Sequence, residues 1–248
     1  LRKSLYELAQ SDLYQVICAT HSSLMIDVSK PHSSLVRVTK NVSGCTKTHQ
    51  VGDDVFQKDE YKSTVQMINR FNSNICECFY AEQVILVEGD TETIVLRDLL
   101  DRIYEDQDVF VLNTGSKNNI PFFQEVLTHF RIKHFIVHDS DHEEKKSAWT
   151  LNERIWDKVE SANSLEPDLA RRYVFTNNFE YAHDYKHDPK EGKPLSAFNF
   201  SKNNINSKQD DYECIKYLNE ILGEKALVHD QSYLKSLDLK KGEDNGEE

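Results

Sequence analysis

Glu88 and Glu92 stand four residues apart, and Asp139 and Asp141 two apart. Each pair follows an apolar run. Val84-Ile85-Leu86-Val87 leads into Glu88-Gly89-Asp90-Thr91-Glu92, and Phe135-Ile136-Val137 leads into His138-Asp139-Ser140-Asp141. Such runs, closed by turn residues, predict buried strands that end in acidic turns. In an open α/β sheet, ligands bind outside the carboxyl ends of the strands. Mg²⁺ and Mn²⁺ take oxygen ligands. Two such ions, about 4 Å apart, clamp the attacking and leaving oxygens of a phosphodiester. If a helix begins near Thr91, the Glu92 carboxylate can turn back toward the strand end. An extended backbone would put Asp139 and Asp141 on one side. The competing reading is that each acid is solvated or caps a helix, as Glu92 could in a first turn. It is as good as the functional reading for any one acid and weaker for all four together.

The elements that must hold these acids alternate. Strands are predicted over Val84–Val87, Val109–Leu112, His134–Val137 and Tyr173–Phe175. Helices are predicted over about Glu92–Tyr104, Ile120–Phe130 and Asn152–Glu160. Repeated strand–helix units of this length imply a mostly parallel sheet with helices on both faces. Ahead of them, residues 1–10 have helical spacing, Gln15–Thr20 reads as a strand, and Leu24–Val28 starts a helical turn. Ser34–Thr39 and Thr46–Val51 read as a strand pair, and a helix follows from Asp59 to about Asn72. The main boundary is expected at Asn72-Ser73-Asn74. Beyond Glu180 the chain reads as a polar loop around Gly192-Lys193-Pro194, with a helix from about Asp210 to Leu222 and a charged, disordered tail.

Glu88-Gly89-x-Thr91-Glu92 after an aliphatic strand, with Asp139-x-Asp141 after a later one, resembles the Toprim domain of topoisomerases, primases and certain nucleases. The glycine and the second glutamate are similar to those of the OLD (overcoming lysogenization defect) family of ATP-dependent nucleases. The resemblance implies an α/β Toprim (Rossmann-like) fold that binds two divalent metals, Mg²⁺ or Mn²⁺, and cuts DNA. By that resemblance Glu88 and Glu92 match the family's two glutamates, and Asp139 and Asp141 its aspartate pair. Glu180 matches a downstream acid that helps hold the second metal. Lys193 matches an active-site lysine near the scissile phosphate, where a cation can stabilise charge on a transferring phosphoryl group. Glu143 falls where some Toprim proteins carry a third aspartate. Gly115-Ser116-Lys117 could contact phosphate, but a plain turn is the favoured reading.

Gln15–Ser22 resembles the last strand and switch histidine of an ABC-type ATPase, with His21 as the residue that senses the γ-phosphate of ATP. No Gly-x-x-x-x-Gly-Lys-Ser/Thr loop is present, so ATP binding requires an ATPase part upstream. The resulting organisation is residues 1–75 as the end of an ABC-type ATPase domain, 76–235 as the Toprim domain and 236–248 as the tail. The resemblance further implies a homodimer or higher oligomer through the ATPase part, a second defence protein as a partner, a cytoplasmic location and a role in anti-phage defence.

The 248 residues carry a net charge of −12, which argues against a surface coated in basic residues for nucleic acid but not against a metal-dependent nuclease with a local basic groove. Lys186, Lys190, Lys193, Lys202 and Lys208, with Tyr181, Tyr185 and Phe198, form either such a DNA-facing loop or a solvated one. No apolar run approaches the roughly 20 residues needed to span a bilayer. Five irregularly spaced cysteines read as free thiols in a reducing compartment. His138 and His142 have no zinc spacing with His21 and are expected beside the site or on the surface. Two rival readings stand: a topoisomerase- or primase-like Toprim, and a degenerate Toprim that binds nucleic acid or serves assembly.

Overall fold

The computed structural model describes residues 1–28, 30, 32–40, 43–52, 72–73, 75–105, 107–141, 146–223, 232–234 and 236. The helix expected over 59–72, together with His142, Glu143 and the charged tail beyond 236, therefore lies outside the described residues, apart from Asn72. The chain divides into two compact units, Leu1–Ala81 and Glu82–Glu248.

The first unit has a helix, α1 (Arg2–Ala9), a 3₁₀ turn at Ser23–Met25, and two strands, β1 (Val36–Lys40) and β2 (Thr46–Gln50). The strands pair antiparallel, with Val38 opposite Thr48. Arg2 donates to the carbonyls of Leu24 and Ile26. Arg37 donates to those of Phe79 and Ala81. Both arginines thereby tie distant segments around the small buried cluster of Ile26, Val28, Cys76, Cys78 and Phe79. The strand expected at Gln15–Thr20 does not form. A strand needs a neighbour to take up its backbone N–H and C=O groups. Among the described residues, the two strands of this unit pair only with each other. Ile17, which should anchor it, is 88% exposed.

The second unit is built on a four-stranded parallel sheet: β3 (Gln83–Val87), β4 (Val109–Asn113), β5 (Lys133–Asp139) and β6 (Ala170–Phe175). Their spatial order is β4-β3-β5-β6, and all pairs are parallel. Three helices connect them: α2 (Asp90–Ile103), α3 (Ile120–His129) and α4 (Lys146–Leu165); after β6 come a single turn α5 (Phe179–Ala182), α6 (Lys193–Asn204) and α7 (Glu213–Leu222). Because side chains alternate along a strand, one face presents Ile85, Val87, Val111, Phe135, Val137, Tyr173 and Phe175. That face is buried in one cluster with Val95, Leu96 and Leu99 of α2, Ala197 of α6 and Leu218 of α7. α3 and α4 pack against the strands as well, and Gln124 of α3 donates to the carbonyl of Ile155 in α4. Such a fully covered sheet explains why the strands read as continuous apolar runs.

Three elements differ from expectation. β6 starts three residues early, at Ala170, because Arg172 is buried in it: its guanidinium donates to the carbonyl of Asn152 and lies 4.7 Å from the Trp156 ring centroid. α4 runs well beyond 152–160 at both ends. The segment around Lys193 is not a loop but the start of α6. Its buried residues are the small Ser196, Ala197 and Ser201, so it lacks the aliphatic stripe that marks a helix. Small residues let α6 lie close on α2, where the Ser201 hydroxyl donates to Asp98 at 2.6 Å and Arg102 bonds both Asp98 and the Ser201 carbonyl.

Leu99 is fully buried where α2 meets the sheet. Leu99→Ala is expected to lower unfolding free energy by about 2–5 kcal/mol, measured by urea denaturation.

Candidate active site

The strand order reverses between β3 and β5: the chain leaves β3 for β4 on one side, then returns to the other. Such a switch point opens a crevice at the carboxyl ends of the strands. Glu88 follows β3 there, and Asp139 closes β5. Glu88 Oε1 accepts the backbone N–H of Asp139 at 2.8 Å, and Asp139 Oδ1 accepts that of Phe179 at 2.9 Å. The ends of β3 and β5 and the start of α5 are thus linked through carboxylates. They border an open cleft of about 680 Å³ lined by Glu88, Glu92, Asp139, Asp141, Glu180 and Lys193, among others. Glu88, Glu92, Asp139, Asp141, Glu180 and Lys193 thus meet in one cleft, while Glu143 lies outside the described residues. His21 belongs to the other unit, where it is exposed ahead of the Ser23–Met25 turn.

Asp141 reaches the cleft by a different route from the extended one expected. Its φ is +49°, a left-handed turn, and its N–H is held by the carbonyl of Asn177, itself at φ +60°. Ser140, between the two aspartates, is buried; its hydroxyl accepts the N–H of Asn177 at 2.8 Å. Lys117 closes the turn. Its ammonium donates to Asp141 Oδ2 at 2.7 Å and to the Asp139 carbonyl at 2.5 Å, with a side chain only 7% exposed. The lysine comes from a short turn after β4. There Gly115 takes φ +73°, and Thr114 anchors to the Val87 carbonyl through both its N–H and its hydroxyl. The sequence reading took Gly115-Ser116-Lys117 for a plain turn. It is a turn, and it also delivers a cation to the acids. The signal for that role is a lysine two residues after a glycine at the carboxyl end of a parallel strand.

Glu92 is buried in the first turn of α2, whose N-cap is Gly89. Its carboxylate folds back over that cap, with Oε2 3.6 Å from where a Cβ on Gly89 would stand, and it lines the cleft from there. Glu180 sits in α5, whose N-cap Asn178 accepts the Tyr181 N–H. Lys193 opens α6, with Gly192 at φ +77° before it and Pro194 behind. It is exposed at the cleft edge. His138 is neither on the surface nor among the cleft-lining residues: it is fully buried, with Nδ1 2.7 Å from the Asp139 carbonyl oxygen. The basic segment is partly committed elsewhere, since Lys208 lies 4.8 Å from the Tyr104 ring centroid and Tyr185 is core.

Burial and crowding govern the electrostatics. Burial raises the Glu88 carboxyl to about 7, against the pull of Lys117 and with a further push from Glu92 and Asp141. Asp139 is pushed up to about 9 by burial first, then by Glu88, Glu92 and Asp141. Glu92 is raised by burial and by Glu180, and lowered by its backbone donors and Lys193. Two groupings emerge: Glu88, Asp139 and Asp141 around Lys117, and Glu92 and Glu180 near Lys193. An oxygen-only donor set with an excess of carboxylates suits hard divalent cations. Among the described residues, no three His, Cys, Asp or Glu side chains are yet gathered tightly enough to hold an ion. Glu88, Asp139 and Asp141 each have an oxygen engaged by a protein donor.

Residues 79–141, from the end of the first unit through the Asp139-x-Asp141 turn, match the family model described as overcoming lysogenization defect protein-like, TOPRIM domain. The chain carries an OLD-like Toprim domain. An OLD nuclease of Thermus scotoductus is 26% identical over 176 residues, which cover 68% of this chain and 32% of that protein. An Old nuclease of Escherichia phage P2 is 29% identical over 147 residues, 57% of this chain and 24% of the relative. The chain thus spans a third or less of the curated relatives it matches. The four-stranded parallel sheet, flanked by helices, is the Toprim fold anticipated from the acidic turns.

The crowded acids give the Toprim domain a testable pH dependence. Asp139 has a raised pKa in the fold, so the folded state keeps a proton that the unfolded state releases. Stability therefore falls as pH rises toward about 9. Above pH ~7 the buried His134 and His183, both held down to about 4, are neutral whether folded or unfolded and drop out. In EDTA, wild-type protein is expected to lose melting temperature between pH 7 and 9. Asp139→Asn should lose less and melt higher at pH 9 by about 2–4 °C or more, the shift for ~1 kcal/mol in a domain of this size. Differential scanning calorimetry checks both.

Proposed function

We propose that this chain is the Toprim part of a metal-dependent DNA endonuclease or nickase, and that residues 1–75 are the end of the ABC-type ATPase domain that regulates it. The observation that carries the reading is the convergence of Glu88, Glu92, Asp139, Asp141, Glu180 and Lys193 on one cleft at the β3–β5 switch point. The similarity to an OLD nuclease and an Old nuclease supports it. Glu88, Asp139 and Asp141 would hold one Mg²⁺ or Mn²⁺ ion; Glu92 and Glu180 would help hold a second. Two such ions supply Lewis acidity and a template for in-line displacement at a phosphodiester. The chain supplies the rest. Backbone N–H groups hold one oxygen each of Glu88 and Asp139, which fixes where these carboxylates stand at the cleft. Lys193, exposed at the edge, faces the charge that develops on the transferring phosphoryl group.

His21 is assigned to sensing the γ-phosphate of ATP bound by the upstream ATPase part. Its exposure in Thr20-His21-Ser22 supports that assignment. Dimerisation through the ATPase part, a second defence protein, cytoplasmic location and anti-phage defence complete the reading. No helix among the described residues is long and apolar enough to cross a membrane.

Full-length protein with Mg²⁺ or Mn²⁺ is expected to nick or cut supercoiled plasmid, and an Asp139→Ala/Asp141→Ala variant to do so at least ~100-fold more slowly. Lys193→Ala should lower kcat by about 10²–10³, the scale for removing one donor to developing charge, while divalent-ion binding stays intact. Agarose-gel time courses read both. Equal cutting by the double-alanine variant overturns the proposal.

A further inference from the structure

Lys117 plays no part in the reading above, yet it is the best-buried cation of the cleft. Burying an ammonium is costly unless it is paired and hydrogen-bonded. The fold meets that cost with two acceptors, Asp141 Oδ2 and the Asp139 carbonyl. Its backbone is fixed by Ser116, which caps the turn through the Asn118 N–H, and by Asn119, whose side chain donates to the Thr114 carbonyl at 2.7 Å. A lysine built in this way cannot leave for solvent as a surface lysine does. It also spans both ends of the Asp139-x-Asp141 turn, the turn proposed to hold a divalent ion.

We propose that Lys117 is a tethered counter-cation: it neutralises the Glu88–Asp139–Asp141 group when no metal is bound, and a divalent ion must compete with its ammonium for that group. The inference rests on the metal-site reading above and assigns Lys117 a positioning role. Two effects of removing it oppose each other. Without the ammonium the Asp139-x-Asp141 turn is less well held, which weakens metal binding. Without its positive charge, the ion enters a site that is one unit more negative, which strengthens it. The charge effect wins on magnitude. A unit charge within hydrogen-bond reach of a ligand acts twofold on a divalent ion in a partly buried site, where screening is weak. Loosening one carboxylate costs only the entropy of a short side chain.

The test uses full-length wild type, Lys117→Met and Lys117→Arg, titrated with Mn²⁺ by calorimetry without DNA. Methionine keeps the buried stem and removes the charge; arginine keeps the charge. Lys117→Met is expected to bind Mn²⁺ about tenfold more tightly than wild type or beyond, and Lys117→Arg to stay within about threefold of it. In EDTA, Lys117→Met should melt below wild type, and saturating Mn²⁺ should narrow that gap, because the ion replaces the missing cation. Equal or weaker Mn²⁺ binding by Lys117→Met, with wild type still binding, overturns the tether and leaves the metal-site reading intact. No binding by any of the three overturns both. A Lys117→Met protein that stays unfolded even with Mn²⁺ also overturns the tether, since metal would then not substitute for the lysine.

Discussion

The Glu88 carboxylate accepts the backbone N–H of Asp139, and much of the second unit follows from that 2.8 Å bond. It joins the ends of two adjacent parallel strands, just beyond the last pairing of their ladder. It forces two acidic side chains into proximity although like charges repel. The fold sustains the repulsion because a core cluster shared by all four strands, α2, α6 and α7 holds the strand ends in place. Both aspartates are in turn held by protein donors: the Phe179 N–H for Asp139 and the Lys117 ammonium for Asp141. Crowded carboxylates with raised pKa values are a cost in stability, and such costs cluster at functional sites.

The apolar runs made the sheet legible. β3 and β5 are buried on both faces, so their sequences carry an uninterrupted signal ending at the acids. The signal fails where a buried position is polar. Arg172 sits within β6, and its partners Asn152 and Trp156 lie some 20 residues away in sequence, so nothing local announces that it is inside. α6 failed for a related reason. Its packing on α2 uses serine, alanine and an Asp98–Ser201–Arg102 network instead of leucines. Gln15–Thr20 failed in the opposite direction. Its composition suits a strand, but pairing is a property of two segments, and β1 and β2 use only each other.

The acids themselves were legible by type and spacing, because carboxylates after strands are conspicuous. The way they converge was not. An extended backbone would align Asp139 and Asp141 by alternation. The chain instead turns left-handed at Asp141 and pins that turn to Asn177, a contact made between the ends of β5 and β6. The pairing of Lys117 with the acids is not legible in the sequence because its partners are 22 and 24 residues away, across the switch point.

The two lysines of the cleft divide its labour by burial. Lys117 is enclosed and already paired, so its charge is spent on the protein's own acids. Lys193 is exposed, and its field reaches Glu92 and the open side of the cleft. For a chain of net charge −12 the distinction matters. A polyanionic substrate approaching such a surface gains attraction only from cations not already neutralised internally. Lys117 cannot supply that attraction without abandoning Asp141. Lys193 can, and its place at the first turn of α6 adds the positive end of a 12-residue helix to its charge. Of the two lysines, the acids that need Lys117 to coexist therefore leave Lys193 as the one whose charge is open to solvent.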